Sequence, residues 1–125
     1  MEGKILYREE SYKLTGICME IHRILGKGYL ESVYKDALEY ELKLCEIPYV
    51  REKKFIIKYK DIILKHSYFA DFIVFDKIIL EIKCCNGLVY GHIKQTLNYL
   101  AVSKLNLGLI INFGEDSLKS KRIVL

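Results

Sequence analysis

Residues 71–83 read Asp-Phe-Ile-Val-Phe-Asp-Lys-Ile-Ile-Leu-Glu-Ile-Lys. A carboxylate opens the stretch, an apolar run follows, and Glu81 and Lys83 stand two residues apart at its end. Residues two apart on an extended strand share a face, so Glu81 and Lys83 project together from an otherwise oily segment. Charges placed there must be satisfied, and a bound divalent metal would satisfy them.

Whether Asp71 joins them is a question of parity, because directly opposed residues of an antiparallel pair point to the same face. A two-residue loop, Asp76-Lys77, would set Asp71 opposite Ile82 and send Glu81 and Lys83 to the other side. A three-residue connection over 75–77 pairs Val74 with Ile78, sets Asp71 opposite Glu81 and leaves Lys83 one step along the same face. The sequence therefore predicts an odd-length turn or a bulge. The reverse face would carry Phe72, Val74, Ile78, Leu80 and Ile82, an apolar surface suited to packing under a helix.

Opposed carboxylates about 5 Å apart repel unless a cation or a shared proton lies between them. Oxygen donors favour magnesium or manganese over zinc. Such an ion lowers the pKa of bound water and polarises a phosphodiester, while Lys83 can steady the nucleophilic water or the charge developing on the phosphate. The spacing alone favours a second reading, in which Asp71, Glu81 and Lys83 are a half-exposed ion-pair cluster on the solvated face of a sheet.

Outward from this hairpin, Leu14, Ile17, Cys18, Ile21, Ile24 and Leu25 recur at helical spacing and predict a helix over about 7–25. Gly26-Lys27-Gly28 breaks it, and Leu30, Val33, Tyr34, Ala37, Leu38 and Leu42 predict a second helix ending before Pro48. Over 53–60, Phe55, Ile57 and Tyr59 alternate with lysines, the signature of a strand with one solvated basic face. Lys60-Asp61 turns the chain into an extended stretch over 62–75, and 78–83 makes a third strand. Ile93, Leu97, Leu100 and Ala101 mark the buried face of a third helix over 89–103. Residues 107–111 predict an inner strand, and 122–125 an edge strand. The order helix, helix, three strands, helix, strand describes one α/β domain, α+β by strict labels, spanning 1–125.

Composition allows a polyanionic partner without requiring one: 20 lysines and arginines against 16 acidic residues give +4. Lys53, Lys54, Lys58, Lys60 and Lys65 gather on the first hairpin, with Lys119, Lys121 and Arg122 near the C-terminus. Cys18, Cys45, Cys84 and Cys85 show no CxxC spacing and read as reduced core thiols of a cytoplasmic protein. No segment has the length of a membrane span, and Glu9, Glu10 and Lys13 interrupt the N-terminal region where a signal peptide would have its apolar core.

Gly28-Tyr29-Leu30-Glu31-Ser32-Val33-Tyr34, with Ala37-Leu38 and Glu41-Leu42 after it, resembles the GxxExxY protein family of the PD-(D/E)XK nuclease superfamily. Ala70-Asp71, Leu80-Glu81-Ile82-Lys83, residues 95–100 and residues 109–113 follow in the same order, so the resemblance runs from about Leu14 onward. Ala70 departs from the proline of the superfamily's name. The resemblance implies a restriction-endonuclease-like core, a mixed central sheet with an antiparallel hairpin flanked by helices. It implies Asp71, Glu81 and Glu31 as metal ligands for Mg2+ or Mn2+, Lys83 as the catalytic lysine, and Gln95 and Tyr99 as substrate-orienting residues. On residue grounds, a glutamate in a helix's first turn is favoured wherever it points. Gln95, Tyr99 and His92 share one helix face by spacing, expected to lie away from Ile93, Leu97 and Leu100. The expected activity is metal-dependent hydrolysis of DNA, RNA being the lesser option, by the chain alone, as a homodimer or with a helper protein. The competing function is a noncatalytic nucleic-acid-binding or protein-interaction module that keeps the fold.

Overall fold

The structure is a computed structural model that describes residues 5–125. Its elements are α1 (Arg8–Leu25), α2 (Glu31–Leu44), β1 (Tyr49–Tyr59), β2 (Ile62–Val74), β3 (Ile78–Lys83), α3 (Tyr90–Ser103), β4 (Leu107–Asn112) and β5 (Lys119–Val124). The strands form one sheet in sequence order, antiparallel throughout except for the β3–β4 pair, which is parallel and joined by α3.

The first helix buries Leu14, Ile17, Cys18 and Ile21, and ends where Gly26 (φ 70°) and Gly28 (φ 113°) take backbone angles that a side chain resists. The second buries Tyr34, Leu38 and Leu42. Both cover one face of the sheet, packing on Phe72, Val74, Ile78, Leu80, Ile82, Leu109 and Ile111. The five hairpin residues expected to form an apolar undersurface are all in this cluster. Each such side chain taken out of water contributes about 1.5–3 kcal/mol, so this layer is the main store of stability.

The other face is covered by α3, whose Tyr99 and Leu100 pack with Ala70, Ile79, Ile110 and Ile123 of the sheet. Here the helix sits differently from expectation. Its buried stripe is Thr96, Tyr99 and Leu100, whereas Ile93 and Leu97 are half-buried and Ala101 is exposed. Tyr99 thus faces the sheet beside Leu100 and not away from it. The cause is Gly108 on β4: a Cβ there would lie 2.5 Å from Thr96 Cγ2, so the missing side chain admits Thr96 and sets the helix's rotation. Gly108→Ala is expected to destabilise the protein by about 1–3 kcal/mol. Adding Thr96→Ser, which removes the clashing methyl, should recover most of that loss in urea denaturation.

Two strands begin earlier than the alternation suggests. β1 starts at Tyr49 because Arg51, charged and unpromising as a strand residue, is held between Asp36 (2.8 Å) and Glu39 (3.0 Å) of α2 and lies over the Phe72 ring. β5 starts at Lys119, and its Arg122 reaches Ser11 Oγ (2.8 Å) and the Leu6 carbonyl (2.6 Å), tying the edge strand to the start of α1. The cysteines are all free, but only Cys18 is in the core; Cys45 is exposed, and Cys84 and Cys85 are half-buried just past the end of β3. Isolated residues flanking a secondary-structure end carry no periodicity from which burial can be read. No helix among the described residues is long and apolar enough to cross a membrane.

Candidate active site

The β2–β3 hairpin has the odd-length turn that the parity argument requires. Phe75 (φ 58°) and Asp76 (φ 59°) both take left-handed angles, Lys77 N–H donates to the Val74 carbonyl, and Val74 pairs with Ile78. The paired rungs run from Val74–Ile78 to Phe72–Leu80. On the next rung, side chains take over from the ladder. Asp71 N–H donates to Glu81 Oε2 (2.8 Å), and Ile82 N–H donates to Asp71 Oδ2 (2.7 Å). Each carboxylate is thus locked to the other strand's backbone, which fixes both rotamers and leaves Asp71 Oδ1 and Glu81 Oε1 outside this exchange.

Both groups are buried, Asp71 at 8% and Glu81 at 2% exposure. Burial first, and the neighbouring Asp71 charge second, push the Glu81 carboxyl up to about 8. Lys83, one step along the same face, donates from Nζ to Gln95 Oε1 on α3 at 3.0 Å. Tyr99 lies one helical turn further, its ring edge-on to Tyr68 at 5.6 Å. Burial, then the charges of Glu81 and Asp71, raise its phenol to about 12. His92 Nδ1 accepts the Val89 N–H (3.1 Å) and so caps the start of α3.

The second helix supplies the rest. Glu31 is its first residue, and Tyr34 explains how it is aimed. The Tyr34 ring is fully buried and stacked on Phe113 at 4.5 Å; its hydroxyl donates to the Gly26 carbonyl (2.5 Å) and accepts from Tyr29 N–H (3.3 Å). The Gly-x-x-Glu-x-x-Tyr spacing therefore acts as a clasp: the glycine turns the chain, the tyrosine pins that turn, and the glutamate between them is carried to the sheet. Burial, then Asp71's charge, raises the Glu31 carboxyl, with Lys83 and Lys35 pulling it back.

Two members of the cluster escape a reading of the sequence. Lys35 Nζ lies 2.8 Å from Asp71 Oδ1, 3.1 Å from Glu52 Oε1 and 3.9 Å from Glu31 Oε1. Glu52, on β1, takes a left-handed angle (φ 56°) that is uncommon for a residue with a side chain. Only the four-residue spacing of Glu31 and Lys35 hinted at the lysine. Burial works against the Lys35 ammonium, but its hydrogen bonds and charge contacts with Asp71 and Glu52 outweigh that and raise it.

The centre thus gathers four carboxyl groups, Glu31, Glu52, Asp71 and Glu81, around the two ammonium groups of Lys35 and Lys83. Among the described residues, no three acid, histidine or cysteine side chains close on one point as a finished metal cage. The donor set nevertheless suits Mg2+ or Mn2+, which bind through one or two carboxylates and keep water or phosphate oxygens as the remaining ligands. The displaced Glu81 carboxyl marks negative charge that the protein alone leaves incompletely balanced.

Two helices on one face of a mixed sheet, one on the other, and paired acids beside a lysine at the end of adjoining strands define a restriction-endonuclease-like α+β protein. The chain belongs to the PD-(D/E)XK nuclease superfamily, whose family model matches residues 8–123. The crystal structure of SSO0001 shares the fold with a TM-score of 0.62 at 22% identity, over 94% of this chain. This chain spans 59% of that protein's length. No curated protein matches the sequence.

Proposed function

We propose that this domain is a divalent-metal-dependent nuclease that hydrolyses phosphodiester bonds in DNA, with RNA the lesser substrate. The observation that carries the reading is the reciprocal locking of Asp71 and Glu81 on the rung next to Lys83. Asp71 and Glu81 are the groups that would hold Mg2+ or Mn2+, with Glu31 near enough in charge to act through bound water. Such an ion supplies a more acidic bound water and a polarised phosphodiester.

The remaining chemistry falls to the chain. Lys83, steadied by Gln95, presents an ammonium to the charge that builds on the phosphate oxygens. Gln95 and Tyr99 line the α3 side and orient the substrate against the acids. Membership in the GxxExxY group is supported by the clasp that Gly28 and Tyr34 form around Glu31.

Substrate contact is supported by the β1–β2 ribbon. β2 pairs with β3 only over residues 72–74, so the ribbon's outer part continues past the sheet with Lys53, Lys54, Lys58, Lys60 and Lys65 exposed along it. A two-stranded ribbon fits a major groove, and the lysines match the phosphates flanking it. A single domain of this size offers little surface for gripping a duplex, which supports a homodimer or a helper protein as an option within this reading. The proposed setting is cytoplasmic.

A noncatalytic nucleic-acid-binding module is the second reading, favoured by the Lys35–Asp71 pair, which neutralises one acid without a metal. The test is incubation of the purified protein with linear, supercoiled and single-stranded DNA in Mg2+, Mn2+ or EDTA. The nuclease reading expects cleavage with metal, none in EDTA, and loss of cleavage in folded Asp71→Ala and Lys83→Ala proteins. Equal activity in those variants rejects the assignment, and binding without cutting in every metal selects the noncatalytic module.

A further inference from the structure

The ammonium of Lys35 sits on Asp71 Oδ1, the oxygen that the strand exchange leaves over. We propose that Lys35 is a built-in counter-cation that holds Asp71 before a divalent ion arrives and then withdraws from it onto Glu52, which it already touches at 3.1 Å, so that the Lys35–Glu52 pair sets the site's metal affinity. The proposal rests on reading Asp71 and Glu81 as the metal-holding acids.

Three observations support it. First, the Lys35 side chain is only 13% exposed and lies within 4 Å of carboxylates from three different elements, a position that costs desolvation unless the acids repay it. It is not a surface lysine resting on a convenient partner. Second, the landing site is built at a backbone cost. Arg51 points to α2, so strand alternation would aim Glu52 away from that helix; the left-handed angle at Glu52 brings its carboxylate back to Lys35. Third, Glu52 is half-exposed while Asp71 is buried, so shifting the ammonium between them moves positive charge from the interior toward solvent. A lysine has the flexible stem for that move. A divalent cation and the ammonium cannot share Asp71 Oδ1 without strong repulsion, so one leaves when the other arrives.

The test measures Mn2+ binding to the intact protein by calorimetry and by the electron paramagnetic resonance signal of free Mn2+, without any substrate. Lys35→Met is expected to bind Mn2+ at least about tenfold more tightly than the parent, one competing charge having been removed. Glu52→Gln removes the landing site and is expected to weaken binding severalfold. In the Lys35→Met background, Glu52→Gln should have no such effect. Melting adds a second readout: in EDTA the methionine variant melts below the parent, and Mn2+ raises its melting temperature by more. Should Lys35→Met not fold without metal, Lys35→Gln keeps a donor for Asp71 while removing the charge, and the same order of affinities is expected. Mn2+ binding unchanged or weakened on loss of the Lys35 charge overturns the role of Lys35 alone, as does a Glu52→Gln effect of equal size in both backgrounds. Failure of both parent and variant to bind Mn2+ overturns this proposal together with the metal reading beneath it.

Discussion

Glu81→Gln is expected to make the metal-free protein more stable at pH 9 while reducing metal-dependent cleavage by about two to three orders of magnitude. The two effects have one cause. The Glu81 carboxyl is pushed up to about 8, by burial first and by the Asp71 charge second, from an ordinary value of 4.5. In the unfolded chain it ionises near that ordinary value, so between pH 4.5 and about 8 the folded state keeps a proton that the unfolded state has shed. The sign follows. The stability this group contributes is complete below its unfolded pKa, declines as pH rises, and is lost once pH passes the folded value.

Glutamine resembles the protonated form, and its amide oxygen can still accept the Asp71 N–H. Above pH 8 it therefore relieves a buried charge facing a second one, a change worth about 1–4 kcal/mol. Thermal melting in EDTA across pH 5–9 checks this. The parent's melting temperature should fall relative to the variant as pH increases, by several degrees at the alkaline end. Added Mn2+ should then raise the parent and leave the variant nearly unmoved, because the oxygen anion the ion needs has gone. Parallel pH curves for the two proteins would show that Glu81 does not carry a displaced proton in the fold.

Gly114→Ala is expected to cost about 3 kcal/mol or more of stability, a loss large for a surface-proximal glycine. A Cβ at this position would lie 2.3 Å from Cys85 N, 2.5 Å from Cys85 O and 2.7 Å from the Cys84 carbonyl carbon. All three atoms are backbone and cannot rotate out of the way. The same backbone is held from below by Asn112, fully buried, whose Oδ1 accepts from Cys85 N–H (3.1 Å) and whose Nδ2 donates to the Cys85 carbonyl (3.0 Å). Gly114 N–H donates to that same Oδ1 at 3.0 Å. These bonds pin the chain immediately after Lys83, so displacing it also disturbs the lysine's approach to the acids. Urea denaturation should show a midpoint shift of about 1 M or more. Gly91→Ala is the control: it has open space around it and sits in a helix, where alanine stabilises by about 0.5–1 kcal/mol. A Gly114→Ala protein as stable as that control would mean that the segment after β3 is not packed as described.

Much of the geometry around the acids follows from counting. Strand side chains alternate strictly, so the parity of one turn decided whether Asp71 and Glu81 could meet, and the three-residue connection places them together with Lys83 on the face under α3. The apolar undersurface and the span of β3 came from the same alternation, and the first two helices from an equally local period. Counting failed where the partner lay far along the chain. Hydrophobicity ranks Ile93 and Leu97 above Tyr99 for the buried face of α3, yet the helix is rotated by the space over Gly108, twelve residues along the chain from the Thr96 it admits and invisible to the helical period.

Lys35 and Glu52 mark the same boundary most sharply. Beyond its four-residue spacing from Glu31, nothing in the local pattern separates Lys35 from the other lysines of the chain; its meaning comes from α2 carrying it to Asp71 on β2, and from one left-handed residue on β1. Periodicity says which way a side chain points relative to its own element. What it finds when it gets there depends on how layers pack and twist, and that is set by long-range contacts whose energies belong to no single stretch of residues. So the order of elements and the pairing of the acids could be read from the chain in one dimension, while the charge balance around them emerged when helix and sheet closed on each other.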